Sequence, residues 1–295
     1  LTAADAAAGW ISLFDGETPF GWKSARVEEG LLAGGETTTA LGACQLRAEF
    51  AAGGSVFVGG RDLSVDSGPL ALDTTAPRDA SPAPICLGDS VRLRSLAVRP
   101  LGLQPLLGGS DLSAWEPLHH PRLPPERRAK WSLSEGVLQA RGGPGCVEYQ
   151  GRRYGDFVLQ LDARTVARLA NGGVFFRAVP GDFMNGYEAQ VFNRCLDGDT
   201  NRPARWCTGA IDDRVNARRL VSRDGRFFRL TVIARGPHIA TWVNGHQQTD
   251  WVDQRPPHAN PRQGRRTEPG VIQLQAHDAQ SHLEFQHVAV AAWSE

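Results

Sequence analysis

The sequence predicts an all-β protein, two β-sandwich modules in tandem with the first shortened, on three observations. Runs of β-branched and aromatic residues with a period near two recur along the chain, split by Gly, Asn and Pro. No stretch sustains helical periodicity, and "LTAADAAA" at the start has room for one turn at most. The phrase "SLFDGETPFGW" (12–22) returns as "PLLGGSDLSAW" (105–115), aligning Leu13 with Leu106, Gly16 with Gly109 and Trp22 with Trp115.

The second phrase opens the richer strand series. "YGDFVLQLDAR" (154–164) sets Phe157, Leu159 and Leu161 on one face, as in a half-buried strand. Strands are predicted again at 171–179, 185–193, 226–236, 238–245, 270–277 and 282–293. Asn244-Gly245 is a hairpin-turn dipeptide, and Arg235-Gly236-Pro237-His238 turns the hairpin before it. The echo extends further. Glu29-Gly30-Leu31-Leu32 recurs as Glu135-Gly136-Val137-Leu138, "GGSVFV" (53–58) as "NGGVFF" (171–176), and "VRLRSLAV" (91–98) as "LEFQHVAV" (283–290).

Two units are too few to stack as a solenoid, so the pattern indicates duplicated modules. Two prolines and a glycine in "RPLGLQPL" (99–106) mark the boundary, giving modules over 1–102 and 103–295. The first copy lacks counterparts of 194–225 and 226–245 and has neither His nor Tyr. Opposite "NGYEAQVFN" (185–193) it offers only "SGPLALDTT" (67–75). A copy that keeps framework strands and loses polar inward residues is a brace. Chemistry is expected in the second module.

Of the 295 residues, 32 are Lys or Arg and 32 are Asp or Glu, leaving no net charge. That argues against nucleic acid or an anionic membrane as partner, and the arginines of the second half are interspersed with acids as on a solvated surface. No apolar run approaches the ~20 residues of a membrane span. The opening residues lack the basic start of a signal peptide but fit what remains after one is removed. Of five cysteines none forms a CxxC pair, which argues against a zinc or thioredoxin-type site. Disulfides Cys44–Cys86 and Cys195–Cys207 with one leftover thiol would suit a periplasmic or extracellular protein, and are expected here, although five buried free thiols would give the same sequence pattern.

The second module resembles a known family, the 3-keto-disaccharide hydrolase domain, a concanavalin A-like (lectin/glucanase) jelly roll of glycan-degrading bacteria. The matching stretches are "LLGGSDLSAW", "WSLSEGVLQARGG", "YGDFVLQLDAR", "NGGVFFR", "NGYEAQVFN", "TGAI", "RLTVIARGPHIATWVNG" and "IQLQAH…LEFQHVAV", in the family's order over about 103–293. The first module resembles only the ends, "LFDGETPFGW", "EEGLL" and "VRLRSLAVRPL". The resemblance implies two antiparallel sheets face to face, a sugar on the concave one, and cleavage of glycosides already oxidised to the 3-keto form. Ala276-His277-Asp278 stands where the family usually has a D-H-G turn.

If Tyr187, Ala189 and Val191 pack inward, alternation turns Glu188, Gln190 and Phe192 to the groove. Glu188 and Gln190 would then lie ~7 Å apart, a spacing that suits adjacent sugar hydroxyls. By the same alternation Arg177 shares a face with Phe175 and is a candidate to meet Glu188 or a substrate oxygen. Gln273, Gln275 and His277 share a face, and the imidazole is the side chain best able to move protons near neutral pH. Trp206, on the polar insert with Asp212, Asp213 and Arg214, is the aromatic expected to stack on a sugar ring. Gln190, Gln275, Trp206, Asp212 and Asp278 are thus the candidate substrate-binding residues, and Glu188, His277 and Arg177 the catalytic ones. His119 and His120 are candidates for the groove's rim.

In a 3-keto glycoside the ketone acidifies the C2 proton. A base removes it, the glycosidic oxygen leaves C1 by β-elimination, and hydration completes the apparent hydrolysis. This route needs a base (His277 or Glu188), an enolate stabiliser (Arg177 or a metal) and an acid for the leaving group. It does not need the paired carboxylates of an ordinary glycosidase, ~5 Å or 6.5–9.5 Å apart. A divalent cation on Glu188, His277 or Asp212 is compatible with the chemistry, though no ligand spacing demonstrates one. The expected function is an exported enzyme that cleaves keto-sugar glycosides. The alternative is a lectin-like carbohydrate-binding protein without catalysis. An acid/base pair sharing the groove with an aromatic separates the first from the second.

Overall fold

A computed structural model describes residues 1–59, 61–74, 81–108 and 111–293. From residue 104 onward two antiparallel sheets lie face to face. The eight-stranded one runs in the order Lys130–Ser134, Val137–Arg141, His282–Ala292, Phe157–Thr165, Phe228–Arg235, His238–Val243 and His246–Val252, with Gln104–Pro105 added beside His282–Ala292. The five-stranded one orders Trp115–Leu118, Gly145–Tyr149, Val271–Ala276, Gly172–Ala178 and Tyr187–Val191. Period-two alternation makes the layer between them. Phe157, Leu159 and Leu161 from one sheet and Val174, Phe176, Ala189 and Leu274 from the other belong to one buried core. This is the jelly-roll sandwich.

The first hundred residues form one nine-stranded sheet among the described residues. Its centre is the long strand Cys86–Pro100, which pairs with Ile11–Ser12 and Leu31–Thr37 on one edge and with Cys44–Ala52 and Gly54–Val58 on the other. Its apolar side, with Ile11, Leu32, Leu46, Phe50, Leu93 and Val98, packs in one core with Val158, Ile233, Ala240 and Trp242 from the outer face of the eight-stranded sheet. The first hundred residues thus supply one sheet whose apolar side is closed by the outer face of the eight-stranded sheet. Polar ties reinforce the seam. Trp242 Nε1 donates to Ser12 O, Gln160 Nε2 to Gly9 O and Thr38 Oγ1 to Asp250, each at 2.9 Å, and Arg218 pairs with Asp15.

The repeated phrase makes the same bonds in both places. Trp22 Nε1 donates to Leu13 O (2.5 Å), and Trp115 Nε1 to Leu106 O (3.0 Å). The Leu13 amide bonds Leu96 O, and the Leu106 amide bonds Val288 O. Glu29-Gly30 and Glu135-Gly136 both turn through the left-handed region, at φ of 51° and 75° and of 51° and 76°, as a tight two-residue hairpin requires. Gly109 and Ser110 of the phrase fall outside the described residues, as do Thr75 and the side chains of 69–74 in the 67–75 match.

The two expected disulfides do not form. Cys44 lies opposite Pro100 while Cys86 begins that same fifteen-residue strand, so the pair sits at its two ends. Cys86, Cys195 and Cys207 are thiols. Cys207 is buried with Ala210 and Ala217, and burial pushes its thiol up to about 11. No helix among the described residues is long and apolar enough to cross a membrane.

Candidate active site on the five-stranded sheet

The face of the five-stranded sheet turned away from the core carries polar side chains in two cross-strand rows. Register places Glu148, Gln273, Phe175 and Glu188 in one row and Cys146, Gln275, Gly173 and Gln190 in the next. Val147, Leu274, Val174 and Ala189 take the core side between them.

The 179–186 connection folds back over part of this face. The Gly181 amide and Gln273 Nε2 donate to Glu148 at 3.0 and 2.9 Å. Gln273 Nε2 also donates to Asp182 O (3.0 Å), and Gln275 Nε2 to Met184 Sδ (3.4 Å). Gln275 is fully buried and its Oε1 has no partner. It lies on the expected face but does not line the open hollow.

What stays open is a hollow of about 280 Å3 that brings together Glu188, Gln190, Trp206, Asp212 and His277, with Arg262 among them. The Arg262 guanidinium is its centre. Nη2 donates to Glu188 at 2.6 Å, Nη1 donates to Asp212, and Nε donates to Met184 O at 3.3 Å. The group also lies 5.3 Å from the Phe175 ring centroid. Three of its five N–H donors are thereby used. Burial pushes the Glu188 carboxyl up to about 8; Arg262 opposes the rise and Asp212 adds to it. Near neutral pH Glu188 is thus an acid held next to a fixed cation.

His277 stands at the end of Val271–Ala276, its side chain about half exposed and 3.4 Å from Asp278. Gln190 is tied through Nε2 to Asn171 Oδ1 (2.7 Å) and Gly172 O (3.1 Å). Trp206 is exposed although its backbone sits at φ 68°, a conformation costly for a bulky residue and commonest where a site demands it. Asp213 accepts from its indole at 3.4 Å, and the Arg205 guanidinium lies 5.0 Å over its ring.

Two expected residues are elsewhere. Arg177 lies within a bulge between Phe175 and Ala178 and has φ 47°, which breaks the alternation that would have turned it to the groove. It is fully buried and donates to Gly155 O (2.8 Å), Gly236 O (2.6 Å), Arg266 O (3.1 Å) and Asp156 (3.1 Å). It bolts loops together. Asp278 caps its own turn, accepting from Gln280 N (2.9 Å) and Ser281 Oγ (3.4 Å), and is not part of the hollow. Arg262 takes the place foreseen for Arg177. No three His, Cys, Asp or Glu among the described residues converge as a metal site, and the two carboxyls that do meet, Glu188 and Asp212, face a guanidinium. That donor set does not fit a divalent cation.

Gly173 makes room for this arrangement. A Cβ there would lie 2.2 Å from Glu188 Oε1 and 2.7 Å from its Cγ. Gly173→Ala is expected to swing Glu188 away from Arg262, which a crystal structure of the variant would show. Glu188 still bonded to Arg262 would refute it.

Residues 102–291 match the family described as the 3-keto-alpha-glucoside-1,2-lyase-like domain. Among solved structures, a "putative glycosyl hydrolase" from Parabacteroides distasonis ATCC 8503 aligns at TM-score 0.50 and 17% identity, over 65% of this chain and 94% of that one. A second of the same description and source aligns at TM-score 0.49 and 22% identity, over 65% and 100%. The carbohydrate-binding module CBM66 from Bacillus subtilis aligns at 0.43 and 16%, over 61% and 96%. At these identities the likeness is one of fold. No match was found among curated proteins.

Proposed function

The chain belongs to the 3-keto-alpha-glucoside-1,2-lyase-like domain family, and from that premise we propose that it cleaves glycosides of 3-keto sugars in the hollow around Glu188, Arg262 and His277. The observation that carries this is an acid and a base sharing one hollow with an exposed aromatic. His277 takes the C2 proton. Arg262, with two N–H donors left, stabilises the enolate oxygen that develops from the C3 ketone. Glu188, in its protonated form, delivers a proton to the departing glycosidic oxygen. Trp206 offers a face for the sugar ring, and Gln190 with Asp212 fixes the positions around it. Water then adds to the unsaturated sugar. The protein acts outside the cytoplasm in this proposal, with residues 1–102 as brace.

The test is incubation with 3-keto-glucosides and their parent glucosides, with and without chelator, following aglycone release. Release from the 3-keto compounds alone, unaffected by chelator, is expected. Binding without release from either class would leave only the lectin-like alternative.

A further inference from the structure

The hollow continues past His277. His277 and Met184 also border a second cavity, of about 450 Å3, whose other walls come from residues 120–127, Pro144 and Phe183. The two differ in charge. The first holds Glu188, Asp212 and Asp213 around one arginine, whereas no carboxylate lines the second.

Besides His277, the polar walls there are Arg122, Arg127 and His120. Among the described residues neither guanidinium makes a side-chain ion pair or hydrogen bond. His120 Nδ1 accepts from the Arg122 amide at 3.2 Å, so its ring proton sits on Nε2 and is a donor. The three polar side chains with which this loop lines the cavity, Arg122, Arg127 and His120, thus all present donors. The remaining surface is apolar, from Leu123, Pro124, Pro144, Phe183 and Met184.

We propose that this second cavity is the leaving-group subsite, and that it selects an aglycone with an apolar body and an anionic group, a carboxylate on an aromatic ring being the simplest form. It rests on the first hollow being the cleavage site. The guanidinium forks match a carboxylate in two-point geometry, and the proline and phenylalanine walls cover a flat ring. Because both arginines are exposed, the attraction is screened by salt.

The experiment is calorimetric binding of para-carboxyphenyl and para-carbamoylphenyl glucosides, which the proposed reaction leaves intact, to the wild type and to an Arg122→Ala/Arg127→Ala variant. The carboxylate is expected to bind the wild type about tenfold tighter than the amide. The advantage shrinks in high salt and vanishes in the variant. Equal affinities in the wild type, no binding of either ligand, or an advantage that survives the double substitution would overturn the subsite. Aglycone release from the 3-keto form of the neutral amide reports on cleavage separately. Cleavage without a carboxylate preference sinks the subsite alone, and a preference without cleavage sinks the reaction and leaves the cavity a binding site for the anionic ring but not a leaving-group subsite.

Discussion

Glu188→Gln is expected to slow aglycone release from a 3-keto-glucoside by a factor of about 10²–10⁴, the usual worth of a positioned proton donor. Glutamine keeps the shape and still accepts from Arg262, but it has no proton to give. Burial holds the wild-type carboxyl near 8, so the wild-type rate should fall as pH rises through about 8, and the variant should lack that limb. Stability moves with the same group. Its folded-state value lies above the ordinary 4.5, so its contribution is fully present below about 4.5 and is lost as pH rises through about 8. The variant sheds that dependence and should melt no lower than wild type at pH 9. Falling turnover without falling stability separates a proton donor from a structural strut. His277→Ala should lose a similar factor by removing the base. Full turnover in both variants would place the chemistry elsewhere.

Strand faces were legible in the sequence because facing is a period-two property of the backbone. "NGYEAQVF" and "IQLQAH" (271–277 with its preceding Val) put Glu188, Gln190 and Gln275 on the face where they are found. The failure at Arg177 has a local cause. A bulge inserts one residue and leaves no mark in composition, so alternation counted one position too far. Arg262 was invisible for a different reason. It sits in "NPRQGRR" (260–266) with Arg265 and Arg266 as neighbours, and no periodicity orders a loop. Only the fold shows that this one of the three reaches Glu188. The cover formed by 179–186 is likewise a tertiary event.

One signal for the three-layer arrangement was present. "LTVIA" (230–234) and "IATWV" (239–243) carry apolar residues at consecutive positions, as strands do when both faces are covered. Ile239 and Val243 face the sandwich core, while Ala240 and Trp242 face the sheet of the first hundred residues.

That double burial gives the second large prediction. Trp242 is fully buried and belongs to the core shared by the first sheet and the eight-stranded sheet. Trp242→Ala should cost about 3–5 kcal/mol, as deletion of a buried large aromatic does, and its indole bond to Ser12 goes with it. The loss should lower one common unfolding transition of the whole chain, because the same side chain sits in the core of the first sheet and in a strand of the second. Deleting residues 1–102 uncovers more. Trp242 alone accounts for about 150–250 Å2, and with Val158, Ile233 and Ala240 the bared strip reaches the few hundred Å2 that a soluble monomer seldom leaves exposed. The shortened protein should aggregate or bind a hydrophobic dye, and its remaining soluble fraction should melt below the full chain. A truncated module that stays monomeric at the full chain's melting temperature would show that the first hundred residues ride on the second module without bracing it.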